Sequence, residues 1–269
     1  MNESTQLSPD LEAFADALVA ARLQRRQITL PEGFAQRCTM AQGRAIGARN
    51  AILLASKLGG GVAGFKLGAT NAAAMQRLGV DRPFTGPVLS ACVHAQPAAM
   101  RRDDFIVGII EAEWCVRLGT DIGGDGKRPS REALAAAIDQ AFPVIEVADT
   151  RLEQWSACPP PAILADLGFG GALITGAPVP GWRDVDLAAA TVRLMVNGEL
   201  SREGAGAAVL GHPLDALAGF IEELGARGEK LHAGQIVTTG TWTAPYMAQR
   251  GDRIEADFGA LGSVTLSLD

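Results

Sequence analysis

Two glutamates, Glu111 and Glu113, lie two residues apart in the segment IIEAEWCVRLG. The β-branched and aromatic neighbours favour a strand, on which residues i and i+2 point to the same face. Two carboxylates that share a face beside apolar side chains repel each other unless a cation compensates their charge. A hard divalent cation such as Mg²⁺ or Mn²⁺ prefers these oxygen ligands. The pair is therefore a candidate metal site, and the solvent-facing side of an edge strand is the alternative.

A third acidic residue, Glu146, lies in the segment FPVIEVADTRL. Its apolar flanks Val144, Ile145 and Val147 favour a core strand. A carboxylate is rarely buried without a partner. Either an ion pair with an arginine such as Arg151 or a cation shared with the E-x-E pair would supply that partner.

The composition is typical of a globular protein. The chain has 269 residues, of which 48% are apolar and 20% charged, and its net charge is −6. Its longest basic runs are pairs of arginines, which gives no electrostatic indication of nucleic-acid binding. The first residues do not have the pattern of a signal peptide, and no apolar run approaches the roughly 20 residues that span a bilayer.

The four cysteines lie far apart, with no C-x-x-C pair to suggest a zinc site. We therefore expect reduced core thiols in a cytoplasmic protein that binds neither nucleic acid nor a membrane.

Helical patterns dominate the first 80 residues. Ser8 before Pro9 predicts a helix start, and Thr39 with Gln42 has the form of a capping box that opens a second helix. The segment VAGFKLG then predicts a short strand that carries Lys66.

Strand patterns dominate the remainder of the chain. The predicted strands cover residues 105–118, 144–150, 191–196, 235–241, 253–258 and 263–268, and the predicted helices cover residues 130–142 and 213–224. Asn197 and Gly198 predict a tight hairpin. The pattern indicates an α+β protein with a helical region over residues 1–80 and a β-rich body over residues 81–269. No linker composition separates the two, so we expect one integrated domain.

Seven segments carry a wider pattern: GFKLGAT, LGVDRP, IEAE, PVIEVADTRLEQW, GAGAAVLGHPLDALA, GEKLHAGQIVTTG and GDRIEADFGALGSV. In order and spacing they resemble the 2-oxopent-4-enoate hydratase and 4-oxalocrotonate decarboxylase group of the fumarylacetoacetate hydrolase superfamily. The resemblance implies a rolled mixed β-sheet body after the helical region. It also implies a homo-oligomer, in a group where a hydratase-like and a decarboxylase-like subunit can associate.

The resemblance implies roles for five residues. Glu111, Glu113 and Glu146 would bind Mg²⁺ or Mn²⁺, with Lys66 and the backbone N–H of Leu67 beside the substrate carboxylate. A cation chelated by a 2-oxo acid acts as a Lewis acid and stabilises negative charge on the substrate, which suits hydration, decarboxylation and C–C cleavage alike.

Several positions depart from the hydratase pattern. The hydratases read Q-P-D after G-V-D, whereas this chain has Phe84 in place of the acid. Phe169 lies in a segment that replaces a polar A-D-N-A-S sequence, and Thr239 and Trp242 lie in an altered L-T-G loop. We expect these four residues to line a more apolar substrate pocket. Packing of Trp242 at a subunit interface is the alternative.

Asp81 is retained within G-V-D and is a candidate to orient Lys66 or a water, although an aspartate before proline is as often part of a turn. We expect a metal-dependent lyase that acts on a small 2-oxo acid or its enol, with hydration ahead of decarboxylation. Acylpyruvate C–C hydrolysis ranks lower, because no His-Glu pair that would activate water is visible. A non-catalytic assembly or binding subunit with an intact metal site is the alternative of a different class.

Overall fold

The computed structural model describes residues 5–269. Its α-helices are α1 (Pro9–Leu23), α2 (Phe34–Arg37), α3 (Met40–Leu58), α4 (Ala72–Leu78), α5 (Arg131–Ala137), α6 (Pro160–Ala165) and α7 (Pro213–Ala226). Its strands are β1 (Val62–Gly68), β2 (Phe84–Leu89), β3 (Val93–Ala95), β4 (Ala98–Met100), β5 (Ile109–Leu118), β6 (Ile122–Gly123), β7 (Ile138–Ala148), β8 (Ala172–Thr175), β9 (Thr191–Val196), β10 (Glu199–Ala205), β11 (Lys230–Leu231), β12 (Ile236–Thr241), β13 (Tyr246–Met247), β14 (Arg253–Asp257) and β15 (Ser263–Leu268). Helices thus precede a mainly β body, and the α+β prediction is confirmed.

The larger sheet has the strand order β2-β1-β12-β5-β7-β8-β3, and β13 pairs with β5. β1 pairs with β12 and β3 with β8 in parallel, whereas the other neighbours are antiparallel. The two longest strands, β5 and β7, lie side by side at its centre. This mixed sheet brings segments from between residues 62 and 247 next to one another.

A second sheet has the order β10-β9-β14-β15-β4. Its first turn is the predicted hairpin, in which Asn197 and Gly198 have φ angles of 55° and 86°, as a type I′ turn requires. Buried side chains of this sheet, of α7 and of the β5–β7 pair form one hydrophobic core, which includes Leu194, Leu217 and Ile145. This core packs α7 and the second sheet against the central strands β5 and β7.

The N-terminal helices begin as predicted, at Ser8 and at the capping box of Thr39 and Gln42. α3 lies directly against α6 because Gly43 leaves room for the carbonyl oxygen of Pro161, and a Cβ at this position would lie 2.3 Å from that oxygen. The same N-terminal region supplies β1 to the larger sheet. We propose on this basis that the two predicted regions form one integrated domain.

The helix predicted over residues 130–142 was too long. α5 ends at Ala137, and the chain continues directly as β7 from Ile138, which pairs with Leu118 of β5. Residues 141–148 are buried without interruption, which is typical of a strand covered on both faces. Helical and buried-strand patterns are hard to separate over such a short apolar run.

No helix within residues 5–269 is long and apolar enough to cross a membrane. All four cysteines are free thiols. Cys38, Cys115 and Cys158 are buried, whereas Cys92 is partly exposed. The expectation of core thiols therefore holds for Cys38, Cys115 and Cys158, whereas Cys92 lies at the edge of the core.

Asp149 follows β7 directly and holds the segment that leads into β5. Its Oδ1 accepts hydrogen bonds from the backbone N–H groups of Ile106 and Val107, at 3.0 and 2.7 Å. Its Oδ2 accepts a hydrogen bond from Arg151 at 2.7 Å, and both side chains are buried. This carboxylate therefore fixes the start of β5 relative to the end of β7.

We expect Asp149→Ala to lower the free energy of unfolding by about 3 kcal/mol, because it leaves a buried guanidinium and two backbone donors without their acceptor. Urea unfolding measures the change. The matched control is Asp103→Ala, which removes an exposed ion pair with Arg250 and should leave the midpoint almost unchanged. Equal stability of the Asp149 variant and the wild type would contradict the assigned role.

Candidate metal centre and active site

Three glutamates converge at the centre of the larger sheet. Glu111 of β5 lies directly opposite Glu146 of β7, and Glu113 follows two residues later on the same face of β5. One carboxylate oxygen from each lies within 4.8 Å of the others. The E-x-E spacing and the register of two antiparallel strands therefore place all three acids at one point.

Lys66 reaches the same point from β1. Its Nζ lies 3.1 Å from Oε1 of Glu146, and both side chains are buried. Arg151, the partner considered for Glu146 from sequence proximity, forms its ion pair with Asp149 instead. That interpretation was wrong, because Arg151 lies beyond the end of β7 whereas Lys66 approaches across the sheet.

Glu113 is held by the backbone at the end of β12. The N–H of Gly240 donates a hydrogen bond to Oε2 of Glu113 at 2.9 Å. Gly240 has a φ of 108°, and a Cβ at this position would lie 1.9 Å from Oγ1 of Thr70. Only glycine fits this conformation and this close approach. The sequence indicated it only as a glycine within a predicted strand, a position that often marks a bulge or a close contact.

The charges of this cluster alter its protonation. Burial, reinforced by Glu146 and opposed by Lys66, raises the pKa of Glu111 to about 7. Burial and the charges of Glu146 and Glu111 raise the pKa of Glu113 well above its usual range. Burial alone would lower the pKa of Lys66, but the three carboxylates reverse that effect and raise it. Lys66 is therefore a cation, and it compensates only part of the negative charge.

These residues fit a divalent cation. Oε2 of Glu146 is buried and makes no hydrogen bond to any residue of the described chain, 5–269. Three carboxylates and one ammonium group leave an excess of negative charge, and the donor atoms are all oxygen. This donor set suits Mg²⁺, Mn²⁺ or Ca²⁺ and not a soft metal. Glu111, Glu113 and Glu146 would be its ligands.

A cavity of about 630 Å³ opens onto Lys66, Glu111 and Glu113. This is the usual size for a site that binds a small molecule. Leu67, Phe84, Phe169 and Trp242 all line it. The ring of Phe84 lies 5.9 Å from Nζ of Lys66, and it packs against Gly68. The charged end of the cavity therefore adjoins apolar walls.

Trp242 is part of the interior of the chain. It is 1% exposed, and its ring packs against Trp114 and Phe258 with centroid separations of 6.3 and 5.2 Å. The alternative of packing at a subunit interface is wrong for Trp242, because the rings of the same chain already cover it. Trp242 also borders the cavity.

Two predicted site residues lie elsewhere. Asp81 is exposed, pairs with Arg82 at 3.2 Å and does not line the cavity, so the structure does not bring it to Lys66. Oγ1 of Thr239 donates a hydrogen bond to the carbonyl oxygen of Trp114 at 3.0 Å and also faces away from the cavity. The neighbouring Thr241 lines the cavity instead, because the register of β12 on β5 shifts between Thr238 and Thr241.

Comparison with known proteins identifies the family. Residues 65–268 match the model of the fumarylacetoacetate hydrolase C-terminal family. The chain belongs to the fumarylacetoacetate hydrolase family. Within this family, 4-oxalocrotonate decarboxylase of Pseudomonas putida is 34% identical over 207 residues, which are 77% of each chain. The 2-keto-4-pentenoate hydratase 1 of Dechloromonas aromatica is 30% identical over 202 residues, which are 75% of this chain and 76% of the relative.

Solved members of the family share the whole fold. The 4-oxalocrotonate decarboxylase of Pseudomonas putida G7, complexed with magnesium and adipate, has a TM-score of 0.90 at 30% identity and covers 98% of this chain and 99% of its own. The same enzyme complexed with calcium and acetate has a TM-score of 0.88. The resemblance read from the seven segments is confirmed, and the similar family members are lyases of both expected types, decarboxylases and hydratases.

We expect Glu111→Gln to lower the affinity for Mg²⁺ by at least about tenfold, because a neutral amide replaces a charged ligand. Isothermal titration with Mg²⁺ measures the affinity. Glu132→Gln is the control, since Glu132 lies in the first turn of α5, away from the cluster. Stoichiometric Mg²⁺ binding that is unchanged in Glu111→Gln would exclude this ligand set.

The affinity for Mg²⁺ should depend on pH. Since the metal-free pKa of Glu111 is about 7 and the cation binds only the carboxylate, we expect binding at least about tenfold weaker at pH 6 than at pH 8, and the raised pKa of Glu113 adds to this effect. The raised pKa also means that the metal-free fold loses stability as the pH rises through about 7, so Mg²⁺ should stabilise the protein more at pH 8. Titration calorimetry and thermal unfolding at both pH values test this, and a flat profile would contradict it.

Proposed function

We propose that this protein is a divalent-metal-dependent lyase that acts on a small 2-oxo acid. The observation that carries the proposal is the group of three glutamate carboxylates within 4.8 Å, beside a buried lysine at the inner end of a cavity. The magnesium and calcium complexes of the related decarboxylase support Mg²⁺ as the first cation to test, and Mn²⁺ is a further candidate.

Each group of the site has a distinct task. Glu111, Glu113 and Glu146 hold the cation, which when bound supplies a Lewis acid that polarises the 2-oxo group. Lys66 pairs with the substrate carboxylate and can exchange a proton at its Nζ, and the N–H of Leu67 is a proposed second contact. The apolar walls at Phe84 and Phe169 exclude water, which strengthens these electrostatic interactions.

Decarboxylation is the reaction that the cavity favours. Among residues 5–269, the ionisable side chains that line the cavity are Lys66, Arg77, Glu111 and Glu113. Hydration requires a further group that delivers a proton and a water to a double bond, and no other described residue of the cavity lining supplies one. Loss of CO₂ requires an electron sink and one proton for the carbon that loses it, and the Nζ of Lys66 can donate that proton. Adipate, which the related decarboxylase binds, is a dicarboxylate of similar size to such a substrate. Hydration, expected first from the sequence, remains a prediction.

Exposed apolar side chains on two N-terminal helices support a proposal of self-association. Ile52 and Leu58 of α3 and Leu23 of α1 are large apolar side chains that are 67%, 43% and 44% exposed. We propose that this chain forms a homo-oligomer and that association with a related lyase subunit is the further possibility to test. Sedimentation of the purified protein measures its subunit number.

An ultraviolet assay distinguishes the reactions. Purified protein with Mg²⁺ is mixed with 4-oxalocrotonate or with the enol of 2-keto-4-pentenoate, and products are identified by mass. We expect loss of CO₂ from the first compound, abolished by a chelator. Addition of water to the second compound alone would establish a hydratase. Without turnover of either compound, the chain would be the non-catalytic subunit considered above.

We expect Lys66→Met to lower kcat about 10²- to 10⁴-fold, because it removes the group that pairs with the substrate and exchanges a proton. Binding of Mg²⁺ should persist or tighten, since the variant removes a positive charge beside the ligands. Steady-state kinetics and Mg²⁺ titration of the same sample separate the two effects. Loss of Mg²⁺ binding together with activity would show that Lys66 has only a structural role.

A further inference from the structure

Arg77 lines the same cavity as Lys66 and Glu111. It belongs to α4, and Ala73, Ala74 and Leu78 of the same helix form the adjoining surface of the cavity. Residues at i, i+3 and i+4 share a helix face, so Arg77 extends over a wall of small apolar side chains. Arg77 is exposed whereas Lys66 is buried, which places the arginine at the open side of the cavity.

The guanidinium of Arg77 has no acidic partner. Within residues 5–269, no carboxylate lies within ion-pair distance of it, and it makes no side-chain hydrogen bond. The nearby Arg82 differs, because Asp81 neutralises it. The charge of Arg77 nevertheless acts on Glu111, so the arginine lies within electrostatic reach of the metal cluster. Arg77 is therefore a free cation that faces the substrate cavity.

The charges at the buried end are already balanced without Arg77. The three glutamates, Lys66 and a divalent cation have formal charges that cancel. A 2-oxo acid head group bound there places one negative charge next to two cationic centres. A second carboxylate at the far end of the substrate would have to be compensated at the open side. Arg77 is the remaining basic side chain among the described residues that line this cavity.

We propose that Arg77 is the residue that selects 2-oxo acids bearing a second carboxylate at the far end of a short carbon chain. The inference rests on the proposed function, since it assumes that the 2-oxo acid head group binds at the metal. The planar guanidinium can donate two parallel hydrogen bonds to a carboxylate, which lysine cannot do. The apolar wall of α4 accommodates the carbon chain between the two charged ends.

Two inert probes test the selection. 2-Oxoadipate and 2-oxohexanoate have the same chain length and the same head group, and they differ only in the terminal carboxylate. Binding of each to the Mg²⁺-saturated protein is measured by calorimetry. We expect the wild type to bind 2-oxoadipate about tenfold more tightly, as a charge-assisted contact at a partly solvated position would produce. Arg77→Ala should bind both probes with the affinity that the wild type has for 2-oxohexanoate.

Two further variants exclude indirect effects. Arg77→Lys keeps the charge and should keep part of the preference. Arg82→Ala removes an exposed arginine that lies outside the cavity and should keep all of it. Unchanged binding of 2-oxohexanoate by Arg77→Ala shows that the fold and the metal site are intact.

The possible failures are distinguishable. Equal affinity of the wild type for the two probes, or a preference that Arg77→Ala retains, overturns the role of Arg77 and leaves the metal-dependent function in place. Failure of both probes to bind the Mg²⁺-saturated wild type overturns the proposed function and this inference with it.

Discussion

The close approach of three carboxylates to one buried lysine is the interaction on which the rest of the site depends. Glu113, Glu146 and Lys66 are buried, and Glu111 joins them at the floor of the cavity. Such a cluster is stable only if its charge is compensated and its geometry is fixed. Lys66 of β1 compensates part of the charge. The geometry is fixed by the pairing of β5 with β7 and by the hydrogen bond from the backbone of Gly240.

Residues outside the cluster hold its strands in place. Asp149 ties the entry of β5 to the exit of β7 through backbone donors, so the register that opposes Glu111 and Glu146 is held at one end of the two strands. The close contact between Gly240 and Thr70 holds the end of β12 at the other side. A rigid frame of this kind lets the ligands keep their positions while the cation and the substrate exchange.

Local patterns predicted the parts of this site, and contacts between distant segments decided how they combine. The period of a strand was enough to place Glu111 and Glu113 on one face, and the apolar flanks were enough to bury Glu146. Nothing local could show that Lys66, and not Arg151, is the partner of Glu146, because that depends on sheet order. The orientation of Thr239 depended on a shift in register between Thr238 and Thr241, which a sequence pattern does not reveal.

The position of β12 also constrains how the protein is made. β12 lies between β1 and β5, and its residues 236–241 are synthesised after all three glutamates. Until β12 has emerged from the ribosome, β1 with Lys66 has no strand that connects it to β5 and β7 with the glutamates. Pairing of β1 with β12 closes a loop over most of the sequence, which makes it a slow, late step of folding. Glu146 is therefore synthesised 90 residues before β12 begins, and over that interval the three acids lack the strand that connects them to Lys66.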